Sequence, residues 1–137
     1  MSPVIGVPPQ PVTLLLRLEG LAIAAAAITG FAFTQASWWW FLLVLAPDLS
    51  FFGFALGPSR GAMIYNLAHT YVWAVLLIVL GLVTPLGWLL AAGLIWATHI
   101  GADRVLGYGL KYPEAPETTH LGLIGRAKKA AGNANAG

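Results

Sequence analysis

Four apolar runs divide the chain, and each is long enough to cross a membrane as a helix. A transmembrane helix needs about 20 mainly apolar residues, and the four runs cover residues 13–34, 38–56, 61–82 and 85–106. Polar residues, glycine and proline separate the runs, and the connections are short. Short connections make consecutive helices antiparallel neighbours. The pattern therefore predicts an all-α, polytopic membrane protein with four transmembrane helices in an up-down bundle.

The composition supports an integral membrane protein and excludes several other classes. Of the 137 residues, 58% are hydrophobic and only 9% are charged, whereas soluble domains carry about 25% charged residues. The absence of cysteine excludes disulfides, thiolate metal ligands and cysteine nucleophiles. Most of the basic residues flank apolar runs, and they form no stripe that would bind nucleic acid. The expected partner is the lipid bilayer, with a larger membrane complex or a homo-oligomer as open alternatives.

The segments outside the four runs differ in composition. Residues 1–12 are rich in proline and are expected to form an extended lead-in. Residues 107–126 combine glycine, tyrosine and lysine, which is typical of an interfacial segment on the cytoplasmic side. Residues 127–137 are small and polar, and this composition predicts a disordered tail.

The basic residues predict the orientation of the bundle. The first and third connections between the runs carry no lysine or arginine, whereas the second connection contains Arg60. The remaining flanking basic residues follow the fourth run: Lys111, Arg126, Lys128 and Lys129. In a four-helix topology all of these lie on one side, which the positive-inside rule makes cytoplasmic. We therefore expect an integral membrane protein whose N- and C-termini are both cytoplasmic.

Ionisable and polar residues on different helices lie at similar depths. With a rise of 1.5 Å per residue, Asp48, His69 and His99 lie about 12 Å from the cytoplasmic ends of their helices. Asp103 follows His99 by four residues and therefore shares its helix face. Ionisable groups are costly inside a membrane, so they usually pair with one another and mark a functional site.

These residues suit a metal centre in the cytoplasmic half of the bundle. Asp48, His69, His99 and Asp103 provide nitrogen and oxygen ligands, which suit zinc, iron or manganese. A site of this kind with an open position would activate water. The resulting hypothesis is a metal-dependent hydrolase acting on a lipid-like substrate. Further members of the predicted site are Glu19 as the base, Arg17 or Arg104 as the receptor of an anionic head group, and the polar neighbours Tyr65, Asn66, Tyr108 and His120.

Three other interpretations of the polar layer remain open at this point. The two arginines and the carboxylates would nearly cancel in charge and so form a structural ion-pair network. His69 and His99 would either be neutral hydrogen-bonded imidazoles or ligate a haem from two helices. The protein as a whole would then be a non-catalytic accessory subunit that packs against a larger membrane complex.

Several motifs resemble those of an uncharacterised bacterial membrane family. The motifs are Tyr65-Asn66-x-x-His69, His99-x-Gly101-x-Asp103-Arg104-x-x-Gly107-Tyr108-Gly109-Leu110-Lys111 and Thr119-His120-Leu121-Gly122, together with Arg17-Leu18-Glu19-Gly20 and Ala46-Pro47-Asp48-Leu49. The family is filed as domain of unknown function forty-two sixty, and the resemblance covers residues 13–125. It implies a compact four-helix membrane protein without an assigned reaction. A weaker similarity, to membrane-bound metal-dependent hydrolases, rests on the Pro-Asp pair and on histidines in apolar helices.

Overall fold

The computed structural model describes residues 8–136, in which helices precede a small antiparallel sheet and a last helix. Residues 1–7 of the proline-rich lead-in lie outside the described residues. The elements are α1 (Gln10–Phe33), a 3₁₀ helix (Trp38–Leu56), α2 (Pro58–Ala68), α3 (Tyr71–Val83), α4 (Gly87–Leu106), β1 (Lys111–Tyr112), β2 (Ala115–Thr119), β3 (Gly122–Leu123) and α5 (Gly125–Asn135).

The four predicted membrane spans are confirmed. α1, the 3₁₀ helix, the pair α2–α3 and α4 are each long and apolar enough to cross a membrane. α1 begins at Gln10, three residues before the predicted span and within the predicted lead-in. Proline in the first turn of a helix costs no hydrogen bond, which explains why Pro11 does not delay the start of α1. The protein is an all-α polytopic bundle.

α4 lies at the centre of the bundle and contacts α1, α3 and the 3₁₀ helix, while α2 packs against the 3₁₀ helix. Small residues bring α1 and α4 into backbone contact. A Cβ atom added to Gly101 would lie 2.6 Å from the Gly20 carbonyl oxygen and 2.9 Å from Ala24. Helices in lipid associate largely through such close packing, because burial of apolar surface drives little association there. The glycines on this face therefore set the distance between α1 and α4.

The second span is wound as a 3₁₀ helix and not as the α-helix that the apolar run would ordinarily form. In a 3₁₀ helix residues three apart lie on the same face, and burial along this span follows that period. Phe41, Val44, Pro47, Ser50 and Gly53 form a buried or partly buried stripe, and the partly buried Trp40, Asp48 and Phe54 lie beside it. This stripe faces α4 and α2 and leaves most of the other side chains exposed on the outside of the bundle.

The third span is broken in its middle, between α2 and α3. His69 and Thr70 leave the helical conformation, with ψ angles of 15° and 144°. A break of this kind frees backbone carbonyls, which must be satisfied within the protein at membrane depth. The indole Nε1 of Trp96 donates to the Ala68 carbonyl at 2.7 Å. Nη2 of Arg104 donates to the His69 carbonyl at 2.8 Å. Two side chains of α4 therefore stabilise the break.

The chain after α4 covers the end of the bundle at which α4 finishes. β1, β2 and β3 form an antiparallel sheet in that order, and β1 and β2 contact α2. α5 extends over Gly125–Asn135 and includes most of the segment for which the composition predicts a disordered tail. The alanines and lysines of this segment have high helix propensity. Glu117 also accepts hydrogen bonds from Arg126 Nε and from the amide of Ala127, at 3.1 and 2.8 Å, which ties the first turn to β2.

We expect Gly101→Ala to lower the stability of the bundle, because the added methyl group would collide with the backbone of α1. Overpacking of this kind costs about 1–3 kcal/mol. Gly87→Ala is the matched control, since an added Cβ there meets no atom within 4 Å. Thermal unfolding in detergent, followed by circular dichroism, measures both variants. Equal melting temperatures for the two variants would contradict the close α1–α4 contact.

Candidate metal centre

Four side chains from three membrane spans converge on one point. Asp48 comes from the 3₁₀ helix, His69 from the break between α2 and α3, and His99 and Asp103 from α4. One ligand atom from each lies within 4.8 Å of the others. His69 is fully buried and His99 is 5% exposed, whereas the side chains of Asp103 and Asp48 are 17% and 39% exposed. The structure thus brings together the four residues that the sequence analysis selected as metal ligands.

The two imidazoles face each other through their Nε2 atoms, which are 3.1 Å apart. Oδ1 of Asp48 lies 3.3 Å from both Nε2 atoms. Oδ2 of Asp103 lies 3.4 Å from both Nε2 atoms. The carboxylates therefore flank the imidazole pair, and all four ligand atoms are directed at a common centre.

Backbone carbonyls determine the tautomer of both histidines. Nδ1 of His69 lies 2.9 Å from the Tyr65 carbonyl oxygen, which only accepts hydrogen bonds. The His99 ring is hydrogen-bonded to the backbone of Val44, and this bond falls to Nδ1 because Nε2 faces the centre. In a 3₁₀ helix the Val44 carbonyl would accept a hydrogen bond from the amide of residue 47. Residue 47 is proline, which has no N–H, so this carbonyl is left without its usual partner. Each ring therefore carries its proton on Nδ1 and presents the lone pair of Nε2 to the centre.

The distances match the coordination shell of one ion. Metal–ligand bonds of about 2.0–2.1 Å in a tetrahedral site place the ligand atoms about 3.3–3.4 Å apart. The two Nε2 atoms are 3.1 Å from each other and 3.3–3.4 Å from the carboxylate oxygens, and all four ligand atoms lie within 4.8 Å of one another. The bis-histidine haem alternative does not fit. Two nitrogens on opposite sides of one iron would be about 4 Å apart, with the porphyrin between them. The donor set is suited to a small divalent ion.

The arginines are hydrogen-bonded to main-chain carbonyls, which differs from the predicted ion-pair network. Arg104 is 6% exposed. Its Nη1 donates to the Tyr108 carbonyl and its Nη2 to the His69 carbonyl, both at 2.8 Å. Nε of the exposed Arg17 donates to the Val105 carbonyl at 2.8 Å. Arg104 is thus placed as a positioning residue that fixes the backbone of His69, whereas the sequence analysis assigned it to a head group.

Comparison with known proteins identifies the family. The family model described as Domain of unknown function (DUF4260) matches residues 13–124. The chain belongs to the DUF4260 family. No curated protein and no solved structure matches it. The resemblance drawn from the sequence motifs is therefore confirmed at the level of the family, and the site must be interpreted from its own geometry.

In this DUF4260 protein, Tyr65 and Asn66 connect the centre to the C-terminal sheet. The Tyr65 ring is buried and stacks on the His69 ring, with centroids 3.8 Å apart. Asn66 binds the backbone of Lys111 twice: its Nδ2 donates to the carbonyl and its Oδ1 accepts from the amide, both at 2.7 Å. Nζ of Lys111 lies 4.9 Å from the centroid of the Tyr65 ring. Burial lowers the pKa of Lys111 below its ordinary value. The sheet is thereby held over the His69 side of the centre.

Glu19 and His120 lie apart from the four ligands. They line a separate cavity of about 100 Å³ together with Tyr71 and Arg104. Nδ1 of His120 accepts a hydrogen bond from the Leu110 amide at 2.9 Å, and burial followed by the nearby Arg104 lowers its pKa. The structure therefore places the predicted base, Glu19, on the α1 side of Arg104 and outside the group of four.

Residues that the sequence analysis did not assign to the site prove important for it. Trp96 supports the break between α2 and α3 through its hydrogen bond to the Ala68 carbonyl. The Val44 carbonyl supports His99 in the same way. Lys111 is buried, although the sequence analysis treated it as a basic residue flanking the fourth span. The only signal in the sequence was Pro47, three residues after Val44, which indicated a free carbonyl. The contacts of Trp96 and Lys111 join segments 28 to 45 residues apart and have no local signature.

We expect Arg104→Met to destabilise the protein strongly, because two buried carbonyls would lose their partner. Each unsatisfied buried group costs about 1–3 kcal/mol, so the loss of two partners should lower the free energy of unfolding by roughly 2–6 kcal/mol. Arg60→Met is the control, since Arg60 is exposed at the start of α2. Thermal unfolding in the same detergent compares them. A melting temperature of Arg104→Met within a degree or two of the control value would show that the break does not depend on this side chain.

Proposed function

We propose that this DUF4260 protein is a metal-dependent membrane hydrolase whose divalent ion is held by Asp48, His69, His99 and Asp103. The observation that carries the proposal is the pair of buried Nε2 atoms, 3.1 Å apart and flanked by two carboxylates. The lone pairs of four acceptors repel one another unless a cation lies between them. Protonation of one Nε2 atom would relieve this repulsion only in part. Protonation of both Nε2 atoms would place two positively charged imidazolium rings in contact.

Charge balance also favours a divalent ion. Two neutral imidazoles and two carboxylates carry a charge of minus two, which one divalent ion neutralises. A neutral centre is far less costly inside a membrane than a separated pair of charges. The hydrogen bonds from Nδ1 to backbone carbonyls are the outer contacts that typically orient metal-binding histidines and raise their basicity. The absence of cysteine leaves zinc, iron and manganese as the suitable ions.

The exposure of the two carboxylates supports hydrolysis. Asp48 is the most exposed of the four proposed ligands, so water would reach the centre past the Asp48 side chain. A bound divalent ion supplies a more acidic water at neutral pH. Asp48 belongs to the centre itself, whereas Glu19 lines a separate cavity, so we assign the acceptance of the proton to the carboxylate of Asp48. The buried His69 and His99 keep the rest of the centre dry.

Metal analysis of the purified protein tests the proposal. We expect about one divalent transition ion per chain after purification without chelators, and at least a tenfold lower content in His69→Ala. Asp48→Asn, at the exposed edge, is the second variant, because it retains the side-chain volume if His69→Ala does not fold. The matched control is His120→Ala, a histidine that lies outside the group of four.

Two results separate the alternatives. Metal that remains in both ligand variants would place the ion elsewhere and contradict the proposed centre. Wild-type protein that is folded, free of metal and unchanged in melting temperature by added zinc, iron or manganese would also contradict it. Such a protein would fit the accessory-subunit interpretation, because ligand binding to the folded state necessarily raises stability.

We further propose that the end of the bundle carrying the centre faces the cytoplasm of a bacterial inner membrane. Arg60, Lys111 and residues 126–129 contribute basic groups at this end, as the positive-inside rule requires. The chain contains no cysteine, so single substitutions report the orientation directly. In intact cells, a membrane-impermeant maleimide should label Ser37→Cys but should label Gly132→Cys only after permeabilisation. The reverse pattern would invert the topology.

A further inference from the structure

An apolar cavity of about 280 Å³ opens beside the candidate centre. It lies between the 3₁₀ helix, the end of α2 and α4. Among residues 8–136, its lining contains one hydroxyl group and no charged side chain, and it includes Leu43, Ala46, Pro47, Ser50, Ala68 and Ala92. The volume is below the roughly 300–1,000 Å³ of pockets that enclose drug-sized ligands. The cavity therefore accommodates one narrow apolar group.

The cavity begins at the centre and extends toward the middle of the membrane. Pro47 and Ala68 each directly precede a ligand in the chain, so the inner end of the cavity adjoins Asp48 and His69. Ala92 lies seven residues before His99 on α4, which is about 10 Å along the helix axis. An acyl chain follows the same direction in a bilayer, from its polar group near the interface to its end near the midplane. The shape and direction of the cavity suit such a chain.

Ser50 provides a polar contact at the inner end. Its Oγ atom is buried and has no hydrogen-bond partner within residues 8–136. A buried hydroxyl without a partner is costly, and once the Ser50 side chain turns toward the cavity an acceptor on a ligand would satisfy it. Ser50 lies three residues after Pro47 and therefore on the same face of the 3₁₀ helix. Since no cation lines the cavity, the expected acceptor is uncharged, such as the carbonyl oxygen of an ester.

We propose that this cavity binds one acyl chain of a membrane lipid, with its ester group between Ser50 and the four ligands. For hydrolysis this inference rests on the proposed function, whereas binding of the chain does not. In the reaction, water adds to the carbonyl carbon and the acyl C–O bond breaks. The alcohol leaves with one proton of the water, and the carboxylic acid retains the hydroxyl group. The substrate class is thus an acyl ester of the cytoplasmic leaflet.

Photo-crosslinking tests the binding of the chain. The probe is a phospholipid with a diazirine in one acyl chain, mixed into vesicles of phosphatidylethanolamine and phosphatidylglycerol that contain the purified full-length protein. We expect mass spectrometry to find labels concentrated on Leu43, Ala46 and Ala92. Ala92→Phe, which fills the cavity, should reduce this labelling at least fivefold. Ala26→Phe on the exposed face of α1 is the matched control and should leave it unchanged.

Even labelling of all lipid-facing residues, or unchanged labelling in Ala92→Phe, would overturn the binding of a chain in this cavity. Metal content is measured on the same samples. If the cavity is labelled selectively but the protein holds no metal, the proposed function fails and the binding site stands. If the metal is present but labelling is even, the centre stands and the acyl-chain site fails.

Ester hydrolysis tests the substrate class. We expect the metal-loaded protein to hydrolyse para-nitrophenyl palmitate, and Ala92→Phe to raise KM for this ester several-fold without a comparable effect on para-nitrophenyl acetate. Ser50→Ala should lower kcat about tenfold on both esters, because it removes one hydrogen bond to the reacting group. A metal-loaded protein that binds the lipid probe selectively but hydrolyses neither ester would overturn the ester assignment.

Discussion

The structure depends on one constraint: in a membrane, each backbone carbonyl freed from a helix must find a partner inside the protein. Two features free carbonyls here. Pro47 removes the partner of Val44, and the break at residues 69–70 exposes the carbonyls of Ala68 and His69. All three are satisfied by side chains of α4, namely His99, Trp96 and Arg104. The irregular spans are therefore stable only when packed against α4, which explains why α4 occupies the centre of the bundle.

The same hydrogen bonds arrange the candidate metal centre. A carbonyl that satisfies the Nδ1 proton of an imidazole also determines where Nε2 points. His99 is oriented by the carbonyl that Pro47 leaves free, and His69 by the carbonyl of Tyr65 at the end of α2. The backbone irregularities and the convergence of the two Nε2 atoms thus have a common physical cause. A regular α-helix at either place would satisfy these carbonyls internally and would leave the imidazoles without orientation.

The sequence predicted the parts of this arrangement that depend on local periodicity. Hydropathy located four spans, and the rise per residue placed Asp48, His69 and His99 at one depth before any contact was known. It did not predict the 3₁₀ winding of the second span or the break of the third. His69 and Thr70 are neither glycine nor proline, and their conformation is stabilised by Trp96 and Arg104, about 28 and 35 residues away in the chain. The same limitation applies to Glu19, which the sequence analysis assigned to the site as its base but whose side chain lines a separate cavity beside Arg104.

The 3₁₀ winding connects the candidate centre to the apolar cavity. With about 120° between successive residues, Val44, Pro47 and Ser50 lie in one line along the helix, and Asp48 projects to the side of that line. In an α-helix, with about 100° per residue, Ser50 would be turned roughly 60° away from Pro47. The buried hydroxyl of Ser50 would then leave the cavity that Pro47 lines, while Asp48 alone could still reach the centre. The tighter winding is therefore needed to place a ligand carboxylate and a hydrogen-bond donor at the same end of one cavity.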